Sequence, residues 1–294
     1  MTCAGILGLV VILSGCASMA TSDGPVQLAA DGRTDYEIVV ADDAAPQVRA
    51  AADDLADHLR QVTGAAFPVT SASSACGGLQ ILVGHSDVLA GLDLPIDWPG
   101  LGPEGFVIRT VGRHLVIAGG PRRGTLNGVY TFLEDVVGCR WYTPTFSVIP
   151  RRRSLSVGPL DTRFVPAFEC RQTWRFMKPL GRTVADWAAR QRLNMLHPPT
   201  KWYPQLESHP KMNGSTFYIS SFGHTLGHGK LLPYAEFEKH PEYFGLIDGN
   251  RTKTAQPCLT HPEVMPLIIR NARRWLEKDA RGRILSVSQP DGSF

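Results

Sequence analysis

Hydrophobic and polar positions alternate most regularly within residues 104–144. Apolar side chains at every second position predict a strand over residues 106–110, and Gly112 marks the turn into a buried strand over residues 114–118. Apolar residues then recur at helical spacing as far as Gly138, which predicts a helix that ends at a C-terminal glycine. The apolar positions of this helix are Leu126, Val129, Tyr130, Leu133 and Val137.

The chain on either side of this stretch supplies the rest of a small domain. Its predicted elements are a strand over residues 36–40, a helix over 44–63, an edge strand over 67–70, a buried strand over 79–84 and an exit strand over 139–142. The order β-α-β-β-β-β-α-β predicts an α/β fold that begins with a small α+β domain, over residues 30–150, with its helices on one face of the sheet. Gly119, Gly120 and Gly124 match neither G-x-G-x-x-G nor Walker A spacing, so they predict a tight turn and a helix start.

A different pattern begins after residue 150. Residues 151–166 are basic and contain proline, and we interpret them as a linker in which the arginines at 151–153 face solvent. A strand over residues 168–174, a helix over 186–192 and a strand over 193–197 follow. This spacing is that of the start of a (β/α)8 TIM-like barrel.

Residues 167–294 are therefore predicted to form a barrel-like domain that is incomplete. A hairpin with a Gly-Asn turn at residues 249–250 is predicted, followed by a helix with Thr260 as N-cap and Glu263 in a capping box. A further strand is predicted over residues 283–288. Only three or four of eight strands are then present, which would leave parallel edges open. We expect a truncated chain or a gene fragment.

Composition and charge exclude some classes of function. The 294 residues are 43% hydrophobic and 19% charged, as in an ordinary globular protein. The net charge of +3 is small and evenly spread, so no nucleic-acid partner is expected. The oligomeric state stays open.

The N-terminal residues 1–24 have the pattern of a targeting signal followed by a spacer. An apolar core over residues 6–13, too short to span a membrane, leads into Leu13-Ser14-Gly15-Cys16. This run resembles the lipobox of bacterial lipoproteins, which implies lipidation at Cys16. No Lys or Arg precedes the core, and a plain cleaved signal peptide is the alternative. Export to the periplasmic or cell-surface side is expected, with a lipid anchor in a bacterial membrane if Cys16 is lipidated.

Cysteine usage does not predict a metal centre. Outside the leader the cysteines are Cys76, Cys139, Cys170 and Cys258, which permit three complete pairings. The absence of a Cys-x-x-Cys spacing argues against a zinc ribbon. We expect most of the four to be buried thiols and predict no particular bridge.

Barrel enzymes carry their sites on the loops that follow the strands. That rule selects candidate substrate-binding residues at the ends of predicted strands or on the loop over residues 221–229, which is rich in Gly and His and is called the Gly/His loop. They are Arg171, Trp174, Asn194, His197, His224, His228 and Gln289. Aromatic faces stack on sugar rings, and Arg, Asn, His and Gln side chains hydrogen-bond hydroxyls or a uronate carboxylate. The set therefore predicts a carbohydrate substrate.

Hydrolysis of a glycosidic bond usually requires two carboxylates. Asp291, at the end of the predicted strand 283–288, is the candidate catalytic residue, although a turn or capping role is the alternative. A second carboxylate would have to come from Glu169, which the predicted strand turns inward, or from sequence beyond residue 294.

No metal or cofactor is predicted. His224 and His228 have a ligand-like spacing, but the Thr-Leu-Gly between them opposes a helix and no third ligand is evident. Asp53, Asp54 and the Asp57-His58 pair lie on a predicted helix that also needs a polar face, so we expect them to be solvated.

The motifs resemble those of known families. The strand–GG–R–G–x–x–x–G–x–Y–x–F–L–E run resembles the small α/β domain that precedes the barrel of family 20 β-hexosaminidases and family 67 α-glucuronidases. The pieces FxxR, WAARxRLN, HPEYFxLIDGxR, CLTxPEV and SVSQxD resemble, in order and spacing, the domain of unknown function 4838. The resemblance implies an accessory domain followed by a glycoside-hydrolase-like barrel.

Three functions follow as hypotheses. The first is an exported glycoside-hydrolase-like enzyme that acts on a polysaccharide or glycan. The second is a carbohydrate-binding surface lipoprotein without turnover, which the shortage of carboxylates favours. The third is an inactive remnant of a truncated gene.

Overall fold

A computed structural model describes residues 24–172, 181–194, 209–215, 223–226, 229–278 and 284–289. The strands of these residues are β1 Val26–Ala29, β2 Tyr36–Val40, β3 Val69–Ser71, β4 Leu79–Val83, β5 Phe106–Val111, β6 His114–Gly119, β7 Arg140–Thr143, β8 Phe146–Val148, β9 Leu155–Val157, β10 Asp161–Phe164, β11 Leu246–Ile247 and β12 Asn250–Arg251. The helices are α1 Pro46–Thr63, α2 Asp87–Ala90, α3 Gly124–Thr131 with a π-helical continuation Phe132–Val137, α4 Gly181–Arg190 and α5 Val264–Lys278. Short 3₁₀ turns lie at Ala72–Ser74, Pro99–Leu101, Pro210–Met212, Tyr234–Glu238 and Pro241–Tyr243.

A six-stranded mixed sheet organises the first half of the chain. Its strand order is β10-β5-β6-β4-β2-β3, with β3, β2, β4 and β6 parallel and with β5 and β10 added antiparallel. The central strands are continuous apolar runs because both of their faces are buried. The strands predicted over residues 36–142, the edge position of the strand near residue 69 and the helix end at Gly138 are confirmed, and α1 ends at Gly64 in the same left-handed conformation.

The two faces of this sheet are covered in different ways. Helices α1 and α3 pack on one face, as predicted, around a core that includes Leu55, Leu59 and Val129. The opposite face is covered by the Pro/Gly-rich loop 87–103, through Leu101 and neighbouring apolar residues. This loop therefore forms a second layer of the core, which its composition did not predict.

Four glycines allow the backbone to pack against itself between β6 and α3. A Cβ at Gly105, Gly119, Gly120 or Gly124 would lie within 3.0 Å of a backbone carbonyl oxygen. The backbone N–H groups here already donate hydrogen bonds within the protein, since Gly120 N donates to Gly105 O (2.8 Å) and Arg122 N donates to Pro103 O (3.0 Å). The glycine run is thus a tight turn and helix start, in agreement with the prediction.

The linker interpretation of residues 151–166 needs correction. Strand β9 pairs with β1, a strand that the sequence analysis missed, and β10 pairs with β5 at the edge of the sheet. Leu155 and Val157 alternate with an exposed Ser156, so three residues suffice for a half-buried strand. The arginines at 151–153 are exposed, as expected.

The predicted start of a barrel is only partly present in the residues that the structure describes. Residues 168–172 are irregular and do not form a strand. Residues 193–194, the described part of the second predicted strand, follow a turn and are also irregular. The predicted helix is present as α4, but Val184, Ala185 and Ala188 pack into the core of the sheet domain. The described residues therefore show a mixed α/β fold and do not establish a barrel or its truncation.

Residues 223–226, 229–278 and 284–289 contribute a smaller core around α5. Val264, Leu267 and Ile268 face inward against Tyr243 and Phe244. The hairpin β11–β12 is confirmed, although its turn residues are those at 248–249, which both have positive φ.

Two predictions in this smaller region are wrong. The capping box is not formed, because α5 begins at Val264 and Glu263 Oε2 instead accepts a hydrogen bond from Tyr243 (2.5 Å). Residues 285–289 are not a strand, although Ser288 O accepts a backbone hydrogen bond from Leu226.

Two further observations complete the fold. Cys139 is buried, Cys258 is half-buried, and Cys76 and Cys170 are exposed, all as free thiols, so the expectation of mostly buried thiols is wrong. Within the described ranges, none of the helices has the length and apolar character needed to cross a membrane.

Candidate carbohydrate site

Four of the predicted site residues lie in the described part of the chain. They are Arg171, Asn194, His224 and Gln289. Trp174, His228, Asp291, His197 and the lipidation residue Cys16 lie outside it.

Arg171 and Asn194 meet at a buried carboxylate that sequence analysis missed. Glu104 is 5% exposed and forms an ion pair with Arg171, while Asn194 Nδ2 donates to Glu104 Oε1 (2.9 Å). Arg171 N donates to Asn194 Oδ1 (2.8 Å), and Asn194 N donates to Arg171 O (3.1 Å). The structure thus brings two predicted substrate-binding residues together at Glu104 of the sheet domain, while their other hydrogen bonds stay within residues 168–172 and 192–194.

A buried arginine extends this Glu104 cluster. Arg123 is 1% exposed, donates to Leu193 O and to Ser215 Oγ (3.1 Å), and is attracted by Glu104. Burial lowers the pKa of Arg123 to about 10, and Glu104 opposes that shift, so the guanidinium stays charged at neutral pH. Glu104 therefore balances the positive charges of Arg171 and Arg123. This is the role of a structural anchor rather than that of an acid–base catalyst.

Two cavities adjoin the cluster on either side of residues 165–168. One, of about 440 Å³, is lined by Phe106, Asn127, Thr131, Asp135, Thr162, Phe164, Pro166, Ala167, Phe168, Arg171 and Arg192, and we call it the Asn127 cavity. The other, of about 370 Å³, is lined by Glu104, Arg122, Phe168, Glu169, Arg171 and neighbouring backbone. Both volumes lie in the range of small-molecule sites, which is about 300–1,000 Å³.

Glu169, the second carboxylate proposed from sequence, does not point into the core. Its side chain is exposed and its backbone oxygen accepts from Asn194 Nδ2 (2.6 Å). The prediction that a strand turns Glu169 inward is wrong, because residues 168–172 follow an irregular path.

His224 and Gln289 meet in the smaller region. His224 Nδ1 lies 3.2 Å from Gln289 O, and Thr225 Oγ1 accepts from Ser288 N (3.1 Å). This contact places residues 284–289, which lead to Asp291, beside the Gly/His loop. Among the described residues there is no group of three or more His, Cys, Asp or Glu side chains that would hold a metal ion.

The prediction that the polar residues of α1 are solvated is confirmed for Asp53 and Asp57, which are exposed, and is wrong for Asp54 and His58. Asp54 accepts from Lys211 Nζ (2.8 Å) and Tyr130 Oη (2.7 Å), and Lys211 also pairs with Asp186 (2.9 Å). His58, on the same helix, is 3% exposed. Asp54 and His58 are shielded from solvent only because α4 and residues 209–215 pack against α1. The spacing of polar residues along α1 does not indicate this burial.

Three polar residues that line the Asn127 cavity are regularly spaced in the sequence. Asn127, Thr131 and Asp135 are spaced by four residues, which places them on one side of a helix. Sequence analysis selected only the apolar positions of this helix, and so missed them.

The fold is similar to those of two glycoside hydrolases of known structure. It is similar to a family GH115 4-O-methyl-α-glucuronidase, BtGH115A, described as specific for decorated arabinogalactans, with a TM-score of 0.57 and 18% identity over 87% of this chain. It is also similar to the GH20 β-N-acetylhexosaminidase of Streptomyces coelicolor A3(2), with a TM-score of 0.50 and 13% identity over 91% of this chain. At these identities the likeness concerns the fold alone.

The chain belongs to the family defined by the domain of unknown function DUF4838, whose model matches residues 141–294. A second model, the glycosyl hydrolase family 67 N-terminus, matches residues 28–132. A search of curated proteins finds no match. The chain spans 41% of the length of the GH115 protein and 64% of that of the GH20 protein.

Proposed function

We propose that this is an exported glycoside-hydrolase-like protein that acts on a polysaccharide or glycan and hydrolyses O-glycosyl bonds. The observation that carries the proposal is the coincidence of a family 67 N-terminal domain with a fold shared, over 87% of the chain, with an α-glucuronidase. Uronic acid linkages are the first substrate class on this basis. Hexosamine linkages are the second, because of the likeness to the Streptomyces coelicolor enzyme.

Asp291 is the proposed catalytic carboxylate. The segment that leads to it is held beside His224 by the contact with Gln289 O, so His224 and Gln289 are proposed to bind substrate next to Asp291. Trp174 and His228 complete the proposed set, the first as a stacking face and the second as a hydrogen-bonding group.

Arg171 and Asn194 enter the proposal in a different role. Their contacts with Glu104 hold residues 168–172 and 192–194 against the sheet domain, and Arg171 is 20% exposed at the wall of both cavities. Arg171 therefore contacts substrate only through its exposed edge, and Asn194 acts by orienting Arg171.

Export with a lipid anchor at Cys16 is part of the proposal. The Leu13-Ser14-Gly15-Cys16 run supports it, and it would place the protein at a bacterial membrane, facing extracellular or periplasmic glycans. Mass spectrometry of the membrane fraction would detect a diacylated Cys16, and Cys16→Ser should release the protein into the soluble fraction.

A second function, binding without turnover, is favoured by one observation. Near Arg171 the carboxylates of Glu104 and Glu134 are each paired with an arginine, and the other two, Glu169 and Asp135, line different cavities rather than one site with an acid–base pair.

Reducing-sugar release from a panel of uronic-acid-bearing and hexosamine-bearing glycans tests the enzyme proposal. Wild type should release sugar and Asp291→Ala should not, while Asp248→Ala, on an exposed hairpin turn, serves as the matched control. Equal release by wild type and Asp291→Ala would reject the role of Asp291. Binding without release by any protein would favour the second function.

A further inference from the structure

We propose that the Asn127 cavity is a subsite for a neutral sugar residue. The inference rests on the proposed function, since it names a carbohydrate class, but it concerns the sheet domain rather than the loops that lead to Asp291. It depends on four features: a polar wall, an aromatic wall, an unpartnered acceptor and the charge balance.

The two long walls of the cavity differ in chemistry. One wall is a face of α3 and its π-helical continuation, with Asn127, Thr131 and Asp135. The opposite wall consists of β10 and the residues after it, and carries Phe164 and Phe168. A pyranose has hydroxyl groups around its edge and C–H groups on its faces, so it can meet both walls at once.

The aromatic wall is exposed and is held in place. Phe164 is 52% exposed and Phe168 is 74% exposed, which leaves two large apolar rings in contact with water. Phe164 pairs with Phe106 across the β10–β5 ladder, and their ring centroids are 5.5 Å apart. Because Phe106 is buried beneath it, Phe164 presents its ring before any ligand arrives, which lowers the entropic cost of binding.

The polar wall contains a buried acceptor without a partner. Asn127 is 1% exposed, and its Nδ2 donates to Glu104 O (3.3 Å). Its Oδ1 has no hydrogen-bond partner in the described part of the chain. A buried amide oxygen left unpaired is costly, and a ligand hydroxyl would satisfy it as a donor.

The charges select a neutral ligand. Arg171 and Arg192 close one end of the cavity, but each is already paired, with Glu104 and Glu134 respectively. Glu104 also balances the buried Arg123, so these arginines leave no free positive charge for an anion, and Asp135 on the wall has no ionic partner among the described residues. A uronate would therefore meet the carboxylate of Asp135 without a free arginine to bind it, whereas a neutral sugar meets no such repulsion.

The experiment measures binding by isothermal titration calorimetry to two sets of probes. These are neutral gluco-, xylo- and galacto-oligosaccharides, and galacturonate oligomers of matched length. Wild type should bind at least one neutral probe more tightly than the acidic ones. Phe168→Ala should weaken that binding about tenfold, the loss expected for an aromatic face of about 1.4 kcal/mol. Phe146→Ala removes another exposed ring, 57% exposed on β8 and outside the cavity lining, and should leave that binding unchanged.

Asp135→Asn measures the effect of charge on binding separately from the effect of ring stacking. It should improve binding of the acidic probes and leave the neutral ones within about twofold. Tighter binding of galacturonate by wild type, or equal affinity of wild type and Phe168→Ala, would overturn the subsite. Sugar release or glycan binding that persists in Phe168→Ala would leave the proposed function standing. No binding and no release with any glycan would reject both.

Discussion

Two regions of this molecule bury their apolar side chains to different degrees. The sheet region, residues 24–172 with 181–194 and 209–215, has a core on each face of its sheet and encloses charged groups with their partners. The α5 region, residues 223–226, 229–278 and 284–289, relies on strands of two residues and one small cluster. The outer face of α5 leaves Met265, Ile269 and Leu276 between 43% and 47% exposed.

The difference shows where long-range contacts matter. In the sheet region, residues more than 50 positions apart share ladders and ion pairs, so one local change is felt across the whole sheet. In the α5 region the contacts between residues more than 50 positions apart are hydrogen bonds that join residues 223–226 to residues 286–289. The core around α5 is a single small cluster, so a local change there should stay local. Variants in the two regions should separate these two behaviours.

Gly120→Ala should have the largest effect. The new Cβ would overlap backbone atoms of Gly102 and Pro103, which cannot rotate away as a side chain could. We expect the free energy of unfolding of the sheet region to fall by about 4 kcal/mol or more, measured by urea unfolding followed by circular dichroism. Gly78→Ala, where nothing lies within 4 Å, is the control and should change it by less than about 0.5 kcal/mol. Equal stability of the two variants would contradict the close packing at Gly120.

Glu104→Gln should have the next largest effect. It removes the negative charge that serves Arg171 and the buried Arg123, at a cost of about 3 kcal/mol in unfolding free energy. Arg60→Gln breaks an exposed pair with Asp57 and should cost less than about 1 kcal/mol. If both variants unfold at the same urea concentration, Glu104 does not anchor residues 168–194.

Ile268→Ala tests whether the α5 region responds locally. Ile268 is 2% exposed, so its truncation should cost the α5 region about 2 kcal/mol, while the neighbouring Ile269→Ala, at 47% exposure, should cost much less. Hydrogen exchange read by mass spectrometry should show faster exchange in residues 264–278 and little change in β2, β4 and β6. Faster exchange in those strands would mean that the two regions unfold together.

The smallest effect concerns pH and His58. Its Nδ1 lies 2.7 Å from Asp54 O, as a donor, and its Nε2 accepts from Trp141 Nε1 (3.2 Å), which requires the neutral ring. Burial is the main cause that lowers the pKa of His58 below its ordinary value of about 6.5, and Arg190 adds to it, while Asp54 and Asp57 oppose the shift. The unfolded chain then binds the proton first, so stability should fall as pH drops below about 6.5, by at most about 1.4 kcal/mol per pH unit.

His58→Gln, which cannot titrate, should flatten that dependence between pH 7.5 and pH 5.5. Urea midpoints of wild type and His58→Gln at several pH values measure it. Parallel pH profiles would mean that the neutral ring of His58 makes no contribution. A matched His261→Gln, outside the sheet region, should keep the profile of the wild type.

Much of the sheet region could be predicted from its pattern. Strands of continuous apolar residues and a helix with an apolar stripe have few alternative positions, and Gly64 and Gly138 mark helix ends through their left-handed conformation. The strands β1, β9 and β10 were missed because three or four residues of alternation also occur by chance. The capping box at Thr260 failed because Glu263 finds a better partner in Tyr243.

The candidate site was less predictable for a physical reason. Arg171 and Asn194 were selected as strand-end residues, and they do come together, but around Glu104, whose position before β5 carries no sign of burial. A charged residue is buried only where several partners from distant segments converge. That convergence is a property of the fold and has no local pattern.

The elements of the sheet region and the family of the chain follow from the sequence alone, because apolar periodicity and short motifs are local properties. The tertiary structure alone decided which polar residues are buried together, as with Asp54 and Lys211, and that Asn127 faces Phe164 and Phe168 across a cavity. These outcomes depend on segments that lie far apart along the chain and meet only when the sheet, α3 and the residues after β10 have packed.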